Sequence, residues 1–134
     1  MITKTSETMP IASEPDVVLV RQKVRTIAQL SDLGLVDVTK IVTATSELAR
    51  NTLVYGGGGS ALIEGLQDGS RNGVRVTFED QGPGIPDIAQ ALTDGWTSGG
   101  GMGLGLSGAK RLSNEFEIHS APGQGTRVVI ARWK

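Results

Sequence analysis

A chain of 134 residues with 13 Lys plus Arg, 14 Asp plus Glu and a formal charge of −1 fits one domain around one hydrophobic core. Near-neutral charge argues against a nucleic-acid-binding face, and the absence of cysteine excludes disulfides and thiolate metal sites. No stretch approaches the ~18 apolar residues that cross a bilayer, so the expected setting is the cytosol, with neither membrane nor nucleic acid as partner.

Residues 1–13 are polar and contain Pro10, which predicts a disordered N-terminal tail ahead of a domain over 14–134. Asp16 to Val20 is a β-branched run that suggests an edge strand. Val20, Val24, Ile27, Ala28 and Leu30 then follow a helical period to Leu33, with Gly34 as the expected C-cap. Asp37 is the expected N-cap of a longer helix, whose Val38, Ile41, Val42, Thr45, Leu48, Ala49 and Thr52 form one stripe. That helix ends before the four glycines that follow Tyr55. Ser60–Leu66 and Gly73–Glu79 alternate as strands around a turn at Asp68, Gly69, Asn72 and Gly73. A short helix is predicted within Ile85–Leu92 and a longer one within Leu104–Asn114. Glu115–Ser120 and Thr126–Trp133 close the chain as a hairpin turning at Pro122-Gly123-Gln124-Gly125. This order predicts an α+β two-layer sandwich, helices on one face of a mixed β-sheet.

The 19 glycines are clustered, with seven between Gly95 and Gly108. Ordering glycine costs backbone entropy, so such clusters mark turns or places where backbone closely approaches something else. In Ser46-Glu47-Leu48-Ala49-Arg50-Asn51, Glu47 and Asn51 project only about 40° apart on the helix, away from the apolar stripe. A carboxylate there can take a proton, and an amide oxygen beside it suits a hard cation such as Mg²⁺, though a plain solvated face has the same pattern. Asp80 ends a strand and enters a loop with Gly82 and Gly84; it suits either a turn cap or a hydrogen bond from an amino group such as that of adenine. Gly99, Gly100, Gly101, Gly103 and Gly105 run into a helix and offer backbone N–H groups to phosphate.

Gly103, Gly105 and Gly108 also satisfy the dinucleotide spacing G-x-G-x-x-G, but no strand precedes them and no acidic residue follows at ~20 positions, so the Rossmann reading fails. His119, the single histidine, reads as structural, Trp96 and Trp133 as packing residues, and Lys110 and Arg111 as surface charges.

Taken in order, these segments with Gly123-Gln124-Gly125-Thr126 resemble the N, G1, G2 and G3 boxes of the GHKL ATPases, which share the Bergerat fold. Glu47–Asn51, Tyr55, the Asp80–Asp87 run, the Asp94–Gly100 run and Gly108 to Leu112 are most similar to the RsbT-type serine/threonine kinases. The resemblance implies ATP and Mg²⁺ as ligands. Glu47 is then the general base and Asn51 the Mg²⁺ ligand. Asp80 holds the adenine amino group with Thr126 assisting, Gly82 and Gly84 shape the base pocket, and Gly99, Gly100, Gly101, Gly103 and Gly105 form the lid and phosphate turn. It further implies a stressosome-type stress module, in which the kinase phosphorylates a STAS-domain antagonist and then activates a downstream phosphatase or output protein by binding. Two departures stand out. Val54 and Tyr55 replace a basic residue common in histidine kinases and anti-sigma kinases, and no Arg or Lys lies between Gly95 and Gly105. The short, cation-free lid keeps open a nucleotide-dependent binding switch, and the nearest related alternative is an anti-sigma kinase that binds a sigma factor directly.

Overall fold

The computed structural model describes residues 1–93 and 105–134. The elements are β1 (Ile2–Ile11), α1 (Glu14–Leu30), α2 (Leu35–Val54), β2 (Gly59–Asp68), β3 (Arg71–Asp80), α3 (Ile88–Ala91), α4 (Leu106–Arg111), β4 (Glu115–Ser120) and β5 (Thr126–Trp133). The five strands form one sheet in the order β1-β2-β3-β5-β4. Strand alternation sends Ile63, Val76, Phe78 and Ile130 to one face, where they pack against Val20, Val24 and Ile27 of α1 and Ile41 and Leu48 of α2. On the opposite face Arg75 makes a two-pronged ion pair with Glu64 (3.0 and 3.2 Å), and Arg127 reaches Glu79 at 3.2 Å. The α+β two-layer sandwich is therefore as predicted.

The sheet differs in one respect: every pairing is antiparallel, where a mixed sheet was expected. The chain leaves β3, crosses to the far edge as β4 and returns as β5 between them. β4 thus runs parallel to β3 without touching it.

The predicted disordered tail is instead the edge strand β1, paired with β2 from Ile2↔Gln67 to Ile11↔Gly59. Its pattern is almost wholly exposed, and burial of Ile11 with partial burial of Met9 supplies the only apolar anchoring. The ladder of backbone hydrogen bonds does the rest, helped by Gly65 N–H donating to Thr5 Oγ1 where the register shifts, and by Lys23 of α1 pairing with Glu7. The expected strand at Asp16–Val20 is the start of α1. Glu14, Pro15 and Asp16 open that helix, which an acidic first turn and an early proline both favour. Val17, Val20 and Val24 then face the core at helical spacing.

The predicted caps move as well. α1 ends at Ser31, and Asp32, at φ 63°, takes the left-handed position usually held by glycine. Asp32 N–H bonds Gln29 O and Leu33 N–H bonds Ala28 O, a Schellman closure that buries Leu33. Gly34, expected as that C-cap, is the N-cap of α2, and Asp37, expected as an N-cap, lies in the first turn of α2. There Asp37 accepts from Arg132 of β5 at 2.8 Å, while Arg132 also donates to Leu112 O beyond α4. One guanidinium thus ties the start of α2 and the end of α4 to the sheet. The β2–β3 turn tightens to Gly69 and Ser70, with Asn72 and Gly73 inside β3.

The core-facing stripe of α2 is the predicted one, and all seven residues are buried. Within it, Thr45 is fully buried, and its hydroxyl finds no partner among the described residues. An unsatisfied buried hydroxyl is a net cost, and valine has the same shape without it. Thr45→Val is expected to raise the unfolding free energy by about 1 kcal/mol in urea titrations; a loss of similar size would show that the hydroxyl is satisfied.

Candidate nucleotide-binding site

The C-terminal half of α2 lies across the ends of β3 and β5, and a pocket opens between them. Leu48, Asn51, Thr52, Tyr55 and Gly56 form one wall, and Phe78, Asp80, Pro83, Gly84 and Ile85 the second. Leu106, Thr126 and Val128 complete it. Asp80 and Thr126 meet there because they are register partners in the β3–β5 ladder. The remaining lining is largely apolar, so the pocket sets one carboxyl–hydroxyl pair among hydrophobic side chains. That combination suits a heteroaromatic ring with one hydrogen-bonding edge.

Two glycines make the closure possible. A Cβ on Gly56 would lie 2.3 Å from Asp80 Cγ, so only a bare backbone lets the end of α2 abut the carboxylate. Gly84 has φ 77°, and a Cβ there would come 2.0 Å from Ala121 O, in the β4–β5 turn. The loop after β3 is thereby drawn against that turn, where Gly123 N–H bonds Pro83 O at 2.8 Å. Gly82 N–H donates to Asp80 Oδ1 at 2.9 Å.

Burial pushes the Asp80 carboxyl above the usual carboxylate range, against the opposing pull of the Gly82 and Thr126 N–H groups. Ser120, which sequence reasoning did not single out, stands behind Thr126. Its Oγ accepts from Ile85 N–H at 2.8 Å, donates to Gly125 O at 2.9 Å and lies 2.8 Å from Thr126 Oγ1. No periodicity or motif in the sequence separates this serine from any other at a strand end. Gly56 was equally missed as a site residue, since it reads simply as a helix stop.

The predicted site residues fall into three groups. Asn51, Asp80, Gly84 and Thr126 line the pocket, and Gly82 binds the carboxylate from the loop. Asn51 lies on the flank of the α2 stripe, half-buried, rather than opposite it. Glu47 is exposed one turn earlier, and its carboxylate runs alongside Gly105, the N-cap of α4: a Cβ on Gly105 would meet Glu47 Oε2 at 2.6 Å. Gly99, Gly100, Gly101 and Gly103 lie outside the described residues. Among the described residues no cluster of three His, Cys, Asp or Glu is placed to hold a metal, so a cation here would depend on Asn51 and on phosphate oxygens. Oxygen donors few in number fit Mg²⁺, which keeps water and phosphate in its shell.

A carboxyl whose folded pKa is raised contributes stability at low pH that is lost as pH climbs through the raised value. At neutral pH an uncharged isostere should therefore stabilise the ligand-free protein. Asp80→Asn is expected to raise the melting temperature at pH 7, yet to weaken ATP by at least tenfold, roughly the cost of a lost charge-assisted hydrogen bond. A variant that melts lower and binds ATP normally in calorimetry would contradict both expectations.

Residues 36–134 match the family described as histidine kinase-, DNA gyrase B- and HSP90-like ATPase. The chain is 45% identical over 123 residues to the serine/threonine-protein kinase RsbT of Bacillus subtilis, covering 92% of each. It is 27% identical to an anti-sigma F factor of Clostridium novyi, covering 79% of this chain and 77% of the relative. Among solved structures, the RsbU and RsbW domains of a Mycobacterium tuberculosis protein share the fold with a TM-score of 0.66 at 20% identity, over 96% of this chain and 32% of that one. No helix of the described residues is long and apolar enough to cross a membrane. The chain belongs to the histidine kinase-, DNA gyrase B- and HSP90-like ATPases, and within them it is a serine/threonine-protein kinase of the RsbT type.

Proposed function

We propose that this kinase transfers the γ-phosphoryl group of ATP to a serine of a small STAS-domain antagonist in a stressosome-type module of the cytosol. Its release from that partner then lets it bind and activate a downstream phosphatase or output protein. The observation that carries the reading is the order of groups along α2. Gly56 adjoins Asp80 at the base pocket, Asn51 comes next on the pocket wall, and Glu47 lies a turn further out, exposed beside Gly105. At 1.5 Å per residue, Glu47 and Asn51 are about 6 Å apart along the axis, comparable to the reach of a phosphate chain.

With adenine at Asp80, Asn51 would hold Mg²⁺, which when bound neutralises charge on the phosphates. Glu47 meets the acceptor. Its carboxylate takes the serine proton as the serine oxygen bonds to the γ-phosphorus. The bond from that phosphorus to the β–γ bridging oxygen breaks, and ADP leaves. Gly82 and Gly84 shape the base end, and Thr126 assists Asp80. Gly99, Gly100, Gly101, Gly103 and Gly105 supply amides to the phosphates. Exposure of Glu47 supports a protein acceptor, because a large substrate reaches an open carboxylate more readily than an enclosed one.

A second reading, direct sigma-factor binding with nucleotide as the switch, is favoured by the likeness to anti-sigma F factors. Glu47→Gln separates the two. On the kinase reading, transfer of labelled phosphate to a purified STAS antagonist falls by at least ~100-fold, the usual worth of a general base, while calorimetric ATP affinity holds. Asn51→Ala loses affinity and transfer together. Transfer at the wild-type rate by Glu47→Gln would remove the base assignment, and recovery of a sigma factor rather than a STAS protein from lysate would favour the second reading.

A further inference from the structure

We propose that Ser120 is the positioning residue that makes the base pocket selective for an amino-bearing purine, by dictating where the Thr126 hydroxyl proton points. The inference rests on the adenine-site reading above and extends it to a residue outside the pocket lining.

Ser120 Oγ has three neighbours and a single proton to give. Ile85 N–H is a donor, at 2.8 Å, and Gly125 O is a carbonyl that only accepts, at 2.9 Å. The serine proton is therefore committed to Gly125 O. The remaining contact, 2.8 Å to Thr126 Oγ1, must then have Thr126 as its donor. The Thr126 hydroxyl proton is thus turned back toward β4, and its oxygen keeps only lone pairs for other partners.

Among the described residues, the backbone donors next to Asp80 and Thr126 are consumed in the same way. Gly82 N–H goes to Asp80 Oδ1, the Thr126 N–H also faces the Asp80 carboxylate, and Ile85 N–H is held by Ser120. What remains for a ligand at Asp80 and Thr126 is a set of acceptors. An exocyclic amino group satisfies them. A carbonyl at the same place, as in hypoxanthine or guanine, would set acceptor against acceptor and leave buried polar groups unpaired, a strong source of discrimination. Remove the Ser120 hydroxyl and Thr126 can rotate to donate, so the pocket accepts either edge.

ATP and inosine triphosphate differ at this edge by amino against carbonyl at C6 and by a bare nitrogen against N–H at N1, and calorimetry of the full chain with each reads the ratio of affinities. Wild type is expected to favour ATP. Ser120→Ala should lower that ratio by roughly tenfold, about one neutral hydrogen bond, mainly through gain or retention of inosine triphosphate binding. Ser120→Thr, which keeps a hydroxyl, should restore it. Equal loss of both nucleotides in Ser120→Ala would mean that the serine only braces the loops, and would overturn the proposal. If Ser120→Ala does not fold, Thr126→Val probes the same hydroxyl from the other side: its ratio should also drop, and an unchanged ratio overturns the proposal. Wild type binding neither nucleotide would instead sink the adenine-site reading beneath it.

Discussion

The approach of Gly56 to Asp80 governs the rest of this structure. A strand has delivered a carboxylate to the rim of the sheet, and a helix end must lie directly upon it. A Cβ at position 56 would fall 2.3 Å from Asp80 Cγ and 2.5 Å from its Cβ, so the carboxylate or the helix end would have to give way. Leu48, Asn51 and Thr52, on the same helix, line the pocket opposite Phe78 and Val128. The closure of the pocket wall and the partial burial of the carboxylate both depend on that contact. It also explains why the four glycines after Tyr55 are not merely a helix stop: the first of them is a contact surface.

Partial burial of Asp80 shows stability conceded at the rim of the pocket. The two backbone donors do not fully offset its desolvation, so the pocket holds a carboxyl whose pKa is shifted upward. Ion pairs elsewhere work in the opposite sense. Arg132 joins α2, the end of α4 and β5 through Asp37 and the Leu112 carbonyl. It anchors the far end of α2, leaving the near end to be positioned by the glycine contact. α2 is thereby held at both ends, and a helix so held can present Asn51 and Glu47 in fixed register.

Legibility followed how much of each element's stability is local. The stripe of α2 was readable because seven residues repeat at helical spacing and all of them are buried. The β4–β5 hairpin was readable from its alternation and its Pro122–Gly125 turn. β1 was not, because an edge strand can be held by backbone pairing with a single fully buried side chain, Ile11, and residues 2–8 carry no pattern that announces a partner. Asp16–Val20 misled because valine favours strands only until a helix start precedes it. The sheet's all-antiparallel pairing depends on which strand inserts between which, a topological fact that no local spacing encodes. At the site, motif residues were legible because their chemistry is their identity, whereas Ser120 and Gly56 matter through geometry that only the folded chain assembles.

Separating binding from chemistry along α2 bears on how a kinase and a binding switch can be built on one scaffold. Groups at the Asp80 end would set whether nucleotide is held, whereas Glu47 lies outside the pocket lining and touches the α4 N-cap instead. Loss of the carboxylate alone would leave a protein that still senses nucleotide and still presents the same surface to a partner. Loss of Asp80 would weaken nucleotide binding and, with it, both outputs. On the proposed reading the dependence is one-way: transfer requires bound nucleotide, whereas sensing nucleotide does not require transfer. A chain whose α2 carries both groups in register therefore has the parts for a switch whose own catalysis modifies the partner that restrains it. On that reading, the exposed position of Glu47, rather than the depth of the pocket, is what would let that partner be a protein.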